Sequence, residues 1–180
     1  MSQVRVLQGV PWVAPYVLMA SLMIQFACFE PEIPQNVGTL IRTAACLGCG
    51  MHLIAPLGFV MSDKRMKRAH MDYAQNAHVV LHPHWEAFMS YVQQVRHQGG
   101  RLLGLSPRAS QHYHDLTYQN NDILLLGSES QGLGEHQETN CDTLVSIPMK
   151  PGYRSLNMAI SACFVLGEAL RQTHLFPKIQ

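Results

Sequence analysis

From Met23 onward the chain alternates short, β-rich apolar runs with segments of helical periodicity, and this alternation constrains its fold more than any other feature. Strands that are separated by helices must be joined by crossovers, which makes the sheet largely parallel and places helices on its faces. The sequence therefore reads as an α/β domain. The strand-like runs cover 23–29, 51–55, 77–81, 101–105, 122–126 and 142–147. Between them Val37, Leu40, Ile41, Ala44 and Leu47 fall on one helical face, with Asn36 placed to cap that helix. A second helix spans Trp85 to His97 and stops at Gly99-Gly100. The last, Leu156 to Gln172, carries Met158, Ile160, Ala162, Phe164, Val165 and Leu166 on nearly every side. Such a helix is expected to be buried all round, and a second subunit is its simplest cover.

A chain of 180 residues fits one domain with one sizeable core, expected over 23–180. Residues 1–22 read as a poorly ordered extension, or as the product of an upstream start codon. The apolar stretch there could pass for a signal peptide, but it runs without a small-residue cleavage signature straight into a core strand. Pro11 and Pro15 also interrupt it, so no membrane-spanning run of about 20 residues exists. Cys28, Cys46, Cys49, Cys141 and Cys163 are odd in number and lie mostly in apolar runs, which suits reduced thiols in a cytoplasm. Cys46 and Cys49 lack a second pair at zinc-ribbon spacing and read as small buried hydrophobes. The formal net charge of +1 means that a nucleic acid would have to be held by a local basic patch.

Several familiar sites are absent. No G-x-G-x-x-G follows the first strand, so a Rossmann dinucleotide site lacks its phosphate turn. The run Gly127 to Gly132 begins like a P-loop, but Leu133-Gly134 stands where Lys-Ser/Thr is needed. His82-Pro-His84 and His112-Tyr-His114 have no partner pairs at metal-ligand spacing and are expected to be surface histidines, with no metal.

Three loops remain, each next to an apolar strand, which is where open α/β sheets place their ligands. The first, Glu30 to Arg42, contains Asn36, then Gly38, and then Arg42 on the polar side one turn further on. Taken alone, Arg42 fits a solvated helix arginine as well as a site residue. The second, Leu126 to Leu133, frames Glu129 with Gly127 and Gly132, which suits a tight ligand turn or a plain turn before a helix. The third, Ile147-Pro-Met-Lys-Pro-Gly-Tyr-Arg-Ser155-Leu-Asn157, is stiffened by two prolines before Ser155 and Asn157 enter a buried helix, where polar groups need partners.

In this order the loops resemble the three motifs of the SpoU branch of SPOUT methyltransferases: N-x-G-x-x-x-R, G-x-E-x-x-G-L, and I-P-M followed by S-L-N. The resemblance runs from about Met23 to about His174 and is nearest to the short, single-domain type that modifies the wobble ribose of tRNA. Glu30-Pro-Glu-Ile-Pro-Gln-Asn36, Asp63 to Ala69 with Asp72-Tyr73, and the loop 147–155 carry that finer likeness, with His70 in place of the usual glycine. It implies an α/β-knot, in which the C-terminal third passes through a loop to form a trefoil knot, against the general rule that chain connections do not thread. It further implies S-adenosylmethionine as cofactor, with Leu105, Gly127, Ile147 and Ser155 in contact with it, and a homodimer whose active sites draw on both subunits.

The implied reaction is methyl transfer to a ribose 2'-hydroxyl of tRNA at the wobble pyrimidine, within the anticodon stem-loop. Arg42, Glu129, Ser155 and Asn157 are the catalytic set. Because arginine keeps its proton under almost all conditions, Arg42 is expected to orient the ribose and its neighbouring phosphate and to make the hydroxyl more acidic. RNA docking falls to Asn36 and to Lys64, Arg65, Lys67 and Arg68, four cations in five positions. The rival readings are a ribosomal RNA methyltransferase, action at another tRNA position, and an RNA-binding module without catalysis.

Overall fold

The structure is a computed structural model that describes residues 23–61, 64, 68 and 77–178. Residues 1–22, Arg65 and Lys67 therefore lie outside the described residues. The elements are β1 (Gln25–Phe29), α1 (Pro34–Leu47), β2 (Gly50–Ile54), β3 (His78–His82), α2 (Trp85–His97), β4 (Leu102–Leu105), β5 (Ile123–Leu126), α3 (Glu135–Thr139), β6 (Thr143–Val145) and α4 (Met158–Thr173). Six strands form one sheet in the order β3-β2-β1-β5-β4-β6. All its ladders are parallel, as the alternation of elements requires.

The central strands are buried on both faces, which is why β5 reads Ile-Leu-Leu-Leu without polar alternation. On one face Val37, Leu40, Ile41 and Ala44 of α1 pack with Ala162, Val165, Leu166, Ala169 and Leu170 of α4. On the other, Trp85, Phe88, Val92 and Val95 of α2 cover Ala27, Ile54, Leu102, Ile123 and Leu125. Helix α4 is not buried all round within one chain: Cys163, Ile160 and Phe164 face outward, the last two 49% and 51% exposed. Of the C-x-x-C pair Cys49 is buried but Cys46 is exposed, and all five cysteines are free thiols. Among the described residues no helix is long and apolar enough to cross a membrane.

His82, expected at the surface, is 2% exposed and belongs to a buried polar chain on the α2 face. The Tyr91 hydroxyl donates to Gln25 Oε1 at 2.6 Å, and His52 Nε2 lies 2.7 Å from the same oxygen. His52 Nδ1 is 2.9 Å from His82 Nε2. A carbonyl oxygen can only accept, so His52 must carry its proton on Nε2, accept at Nδ1, and receive the His82 Nε2–H. A second proton on His52 would set two donors against each other. Burial holds both imidazoles below their ordinary range, with the neighbouring ring a second cause for His52; His82 falls to about 4. Since the unfolded chain then binds protons first, this contribution to stability is complete above about pH 6.5, falls as pH drops, and levels off near the folded value. At about 1.4 kcal/mol per pKa unit, His82 alone accounts for about 3 kcal/mol. Urea unfolding across pH 4–7 should show that loss in the wild-type chain. It should be reduced in His52→Gln/His82→Gln, and an unchanged slope there would refute the assignment.

Candidate active site

Strands β5, β4 and β6 end side by side, and the segments leaving them surround a cavity of about 460 Å³. The position obeys the rule for open α/β sheets, beyond the carboxyl ends of the strands. Leu105 closes β4, Gly127 follows β5, Ile147 follows β6, and Ser155, Leu156 and Asn157 approach from the N-terminal side of α4. Ile33 and Asn36 complete the wall from the start of α1. All four residues expected to contact the cofactor thus line one cavity, together with three expected site residues, Asn36, Glu129 and Asn157.

The loop after β5 folds back on itself through a bridge between Ser128 and Gly132. Gly132 has a φ of 68°, in the left-handed region, and Gly127 packs so closely against the turn that a Cβ would run into the Gly132 carbonyl and the Leu133 amide nitrogen. This turn projects Glu129 towards α1. Its carboxylate accepts from the backbone N–H groups of Glu32 (2.7 Å) and Ile33 (3.3 Å) and from Asn36 Nδ2 (2.9 Å). In return the Glu32 carboxylate accepts from the backbone N–H and hydroxyl of Ser130. Two loops are thereby latched by an exchange of carboxylates.

Asn36 does not cap α1. The N-cap is Ile33, which offers no side-chain acceptor, and Pro34 starts the helix. Glu129 supplies the missing acceptor and negative charge from elsewhere in the chain. Asn36 is instead 7% exposed within the helix: while its Nδ2 serves Glu129, its Oδ1 accepts from Asn157 Nδ2 at 2.9 Å. Its placement is that of a connector within the site rather than of a side chain open to RNA. Asn157 is the true cap of α4, accepting from the backbone N–H groups of Ala159 and Ile160. The series Glu129–Asn36–Asn157 therefore joins the three motif loops and fixes the start of both α1 and α4.

Arg42 lies on the exposed side of α1 and does not line the cavity of its own chain. The next residue, Thr43, meets Cys163 of α4 at 3.8 Å, so α1 runs beside the outward-facing side of that helix. Lys64 and Arg68 are both exposed. A second cavity of about 600 Å³ shares Ile147, Met149, Ser155 and Leu156 with the first and adds Tyr113, His114, Tyr153 and Phe164. Sequence reasoning did not single out Glu32, Ser130 or Arg108. The first two sit inside motif stretches, and Arg108 follows a strand end just as the three chosen loops do, which was the available signal. Among the described residues no group of three or more His, Cys, Asp or Glu could hold a metal ion.

Residues 23–167 match the SpoU rRNA Methylase family. A tRNA (cytidine(34)-2'-O)-methyltransferase of Beijerinckia indica is 44% identical over 153 residues, covering 85% of this chain and 94% of that protein. A solved structure described as giving insight into the 2-OH methylation of C/U34 on tRNA has a TM-score of 0.79 at 38% identity, covering 86% of this chain and 98% of the other. The SpoU methyltransferase AviRb from Streptomyces viridochromogenes, solved in complex with AdoMet, has a TM-score of 0.77 at 28% identity, covering 92% of this chain and 61% of the other.

Proposed function

The chain belongs to the SpoU rRNA methylase family, and on that premise we propose that it is an S-adenosylmethionine-dependent tRNA 2'-O-methyltransferase that modifies the wobble pyrimidine at position 34. The observation that carries the reading is the convergence of the three motif loops on one cavity, joined through Glu129, Asn36 and Asn157. The residues suit the cofactor: the glycine turn brings bare backbone to the wall, and Leu105, Ile147 and Met149 give apolar surface beside the polar Ser155. When bound, the cofactor supplies an activated methyl carbon on a sulfonium leaving group.

The protein's part is mainly positioning. Methyl transfer would require the ribose 2'-hydroxyl to be held against the donor and made acidic enough to give up its proton to solvent water. Leu105, Gly127, Ile147 and Ser155 hold the donor side. Glu129 and Asn157 keep the loops in register and act as positioning residues, since their polar atoms are engaged with protein groups. Arg42 orients the ribose and its phosphate. The adjoining second cavity, with flat faces from Tyr113 and Tyr153, suits a base beside the methyl donor.

Since Arg42 lies outside the cavity of its own chain, the complete site is composite: a homodimer packed over Ile160, Cys163 and Phe164 brings Arg42 of one subunit to the cavity of the other. The uncovered apolar side of α4, next to α1, supports this arrangement. The α/β-knot is supported by the way the β4–β5 connection holds the C-terminal part of the chain. Ser106 and Tyr113 donate backbone N–H groups to Val145 and Ser146, and Gln172 of α4 bonds the backbone of Leu116 and Tyr118. Lys64, Arg65, Lys67 and Arg68 dock the anticodon stem-loop, and a cytoplasmic setting agrees with the tRNA substrate and free thiols.

Incubating purified protein with S-adenosylmethionine, a chelator and an anticodon stem-loop should place a 2'-O-methyl group on nucleotide 34. Transfer to ribosomal RNA or to another tRNA nucleotide would replace the wobble assignment. Binding and activity that return only on adding zinc would overturn the mechanism.

A further inference from the structure

We infer that Arg108 takes the carboxylate at the amino-acid end of S-adenosylmethionine; the inference rests on reading the 460 Å³ cavity as the methyl-donor site. Only two charged side chains line that cavity among the described residues, Glu129 and Arg108. The Glu129 carboxylate is already met by two backbone N–H groups and an amide. Arg108 differs in being anchored but not used up. Its Nη2 donates to the Leu133 carbonyl and to Glu138 Oε1, both at 2.7 Å. These bonds fix the guanidinium plane at the wall, while 61% of the side chain stays open to solvent and Nε and Nη1 have no protein acceptor among the described residues.

The chemistry of the ligand matches this. S-Adenosylmethionine ends in an α-amino acid, and a planar guanidinium already held by one edge can offer its remaining N–H groups to a carboxylate. The placement of charge also sets direction. A carboxylate at the Glu129 end would be repelled, whereas at the Arg108 end it meets the one cation that the described residues of its own chain place on the cavity wall. Arg108 thus helps to decide which way round the cofactor lies, and with it where the methyl group points. The competing role is purely structural, a staple between the β4 loop and the turn ending at Leu133.

A pair of ligands separates the two roles. S-Adenosylhomocysteine keeps the amino-acid group, and 5'-methylthioadenosine lacks it. By calorimetry, Arg108→Met should weaken binding of the first by on the order of tenfold and leave the second within about twofold. Arg108→Lys, which keeps the charge but not the fork, should recover part of the loss. Equal weakening of both ligands would show a staple and overturn the inference, as would no change in either. A wild-type chain that binds neither ligand would instead overturn the reading of the cavity, and the assignment of Arg108 with it.

Discussion

Gly127→Ala is expected to lower affinity for S-adenosylmethionine by at least on the order of a hundredfold, because the added methyl group has nowhere to go. Its neighbours would be the Gly132 carbonyl and the Leu133 amide nitrogen, both backbone, so no side chain can rotate away. The turn must open, and the Ser128–Gly132 bridge and the projection of Glu129 towards α1 would go with it. Gly132→Ala makes the informative comparison. There the Cβ meets open space, but φ is 68°, so the penalty is the left-handed backbone alone, about 1–2 kcal/mol. Calorimetry with each purified variant should therefore rank Gly132→Ala between wild type and Gly127→Ala. Binding by Gly127→Ala within threefold of wild type would contradict the geometry given to this turn.

Arg42→Ala is expected to leave cofactor affinity unchanged and to lower the single-turnover methylation rate by on the order of a hundredfold or more, as when a positioned electrostatic group is lost. Excess RNA should not restore it. Neutralising Lys64 or Arg68 should do the reverse: RNA binding weakens, its salt dependence becomes shallower by about one unit of slope, and saturating RNA recovers the rate. The proposal of a composite site adds a sharper test. Leu105→Trp fills the donor cavity of its own subunit but keeps Arg42, whereas Arg42→Ala keeps the cavity. Two inactive proteins mixed and allowed to exchange subunits should regain activity, since one site of each mixed dimer combines an intact cavity with an intact arginine. No recovery despite proven exchange would place Arg42 and the cavity it serves in one chain. Rescue of Arg42→Ala by excess RNA would make it a docking residue.

Much of the fold could be read from the chain because its signals are local. Apolar runs without alternation mark doubly covered strands, and glycines and prolines mark the loops that leave them. The cavity was equally legible: loops that follow neighbouring parallel strands emerge on the same edge of the sheet. What escaped depends on distant partners. Asn36 looked like a helix cap because it precedes an amphipathic stripe, but Pro34 starts the helix earlier and Glu129 supplies the acceptor. His82 looked superficial beside His84; it is buried because His52 on the next strand offers it a hydrogen-bond partner. The short α3 gave no apolar periodicity to detect, all five residues being polar. The outer side of α4 is apolar in the sequence, but Ile160 and Phe164 stay half-exposed among the described residues of one chain.

The cap that Glu129 provides to α1 comes from 97 positions away along the chain. On a ribosome, α1 emerges long before that carboxylate exists, with an exposed run of backbone donors at its start. The helix can form early but cannot settle its first turn until the turn after β5 has arrived. The start of α1 and the turn after β5 therefore gain their final order in the same late step. A nascent chain halted before residue 129 would hold the residues of α1 and β1 but no finished pocket. Synthesis itself thus makes the pocket one of the last parts of the chain to be completed.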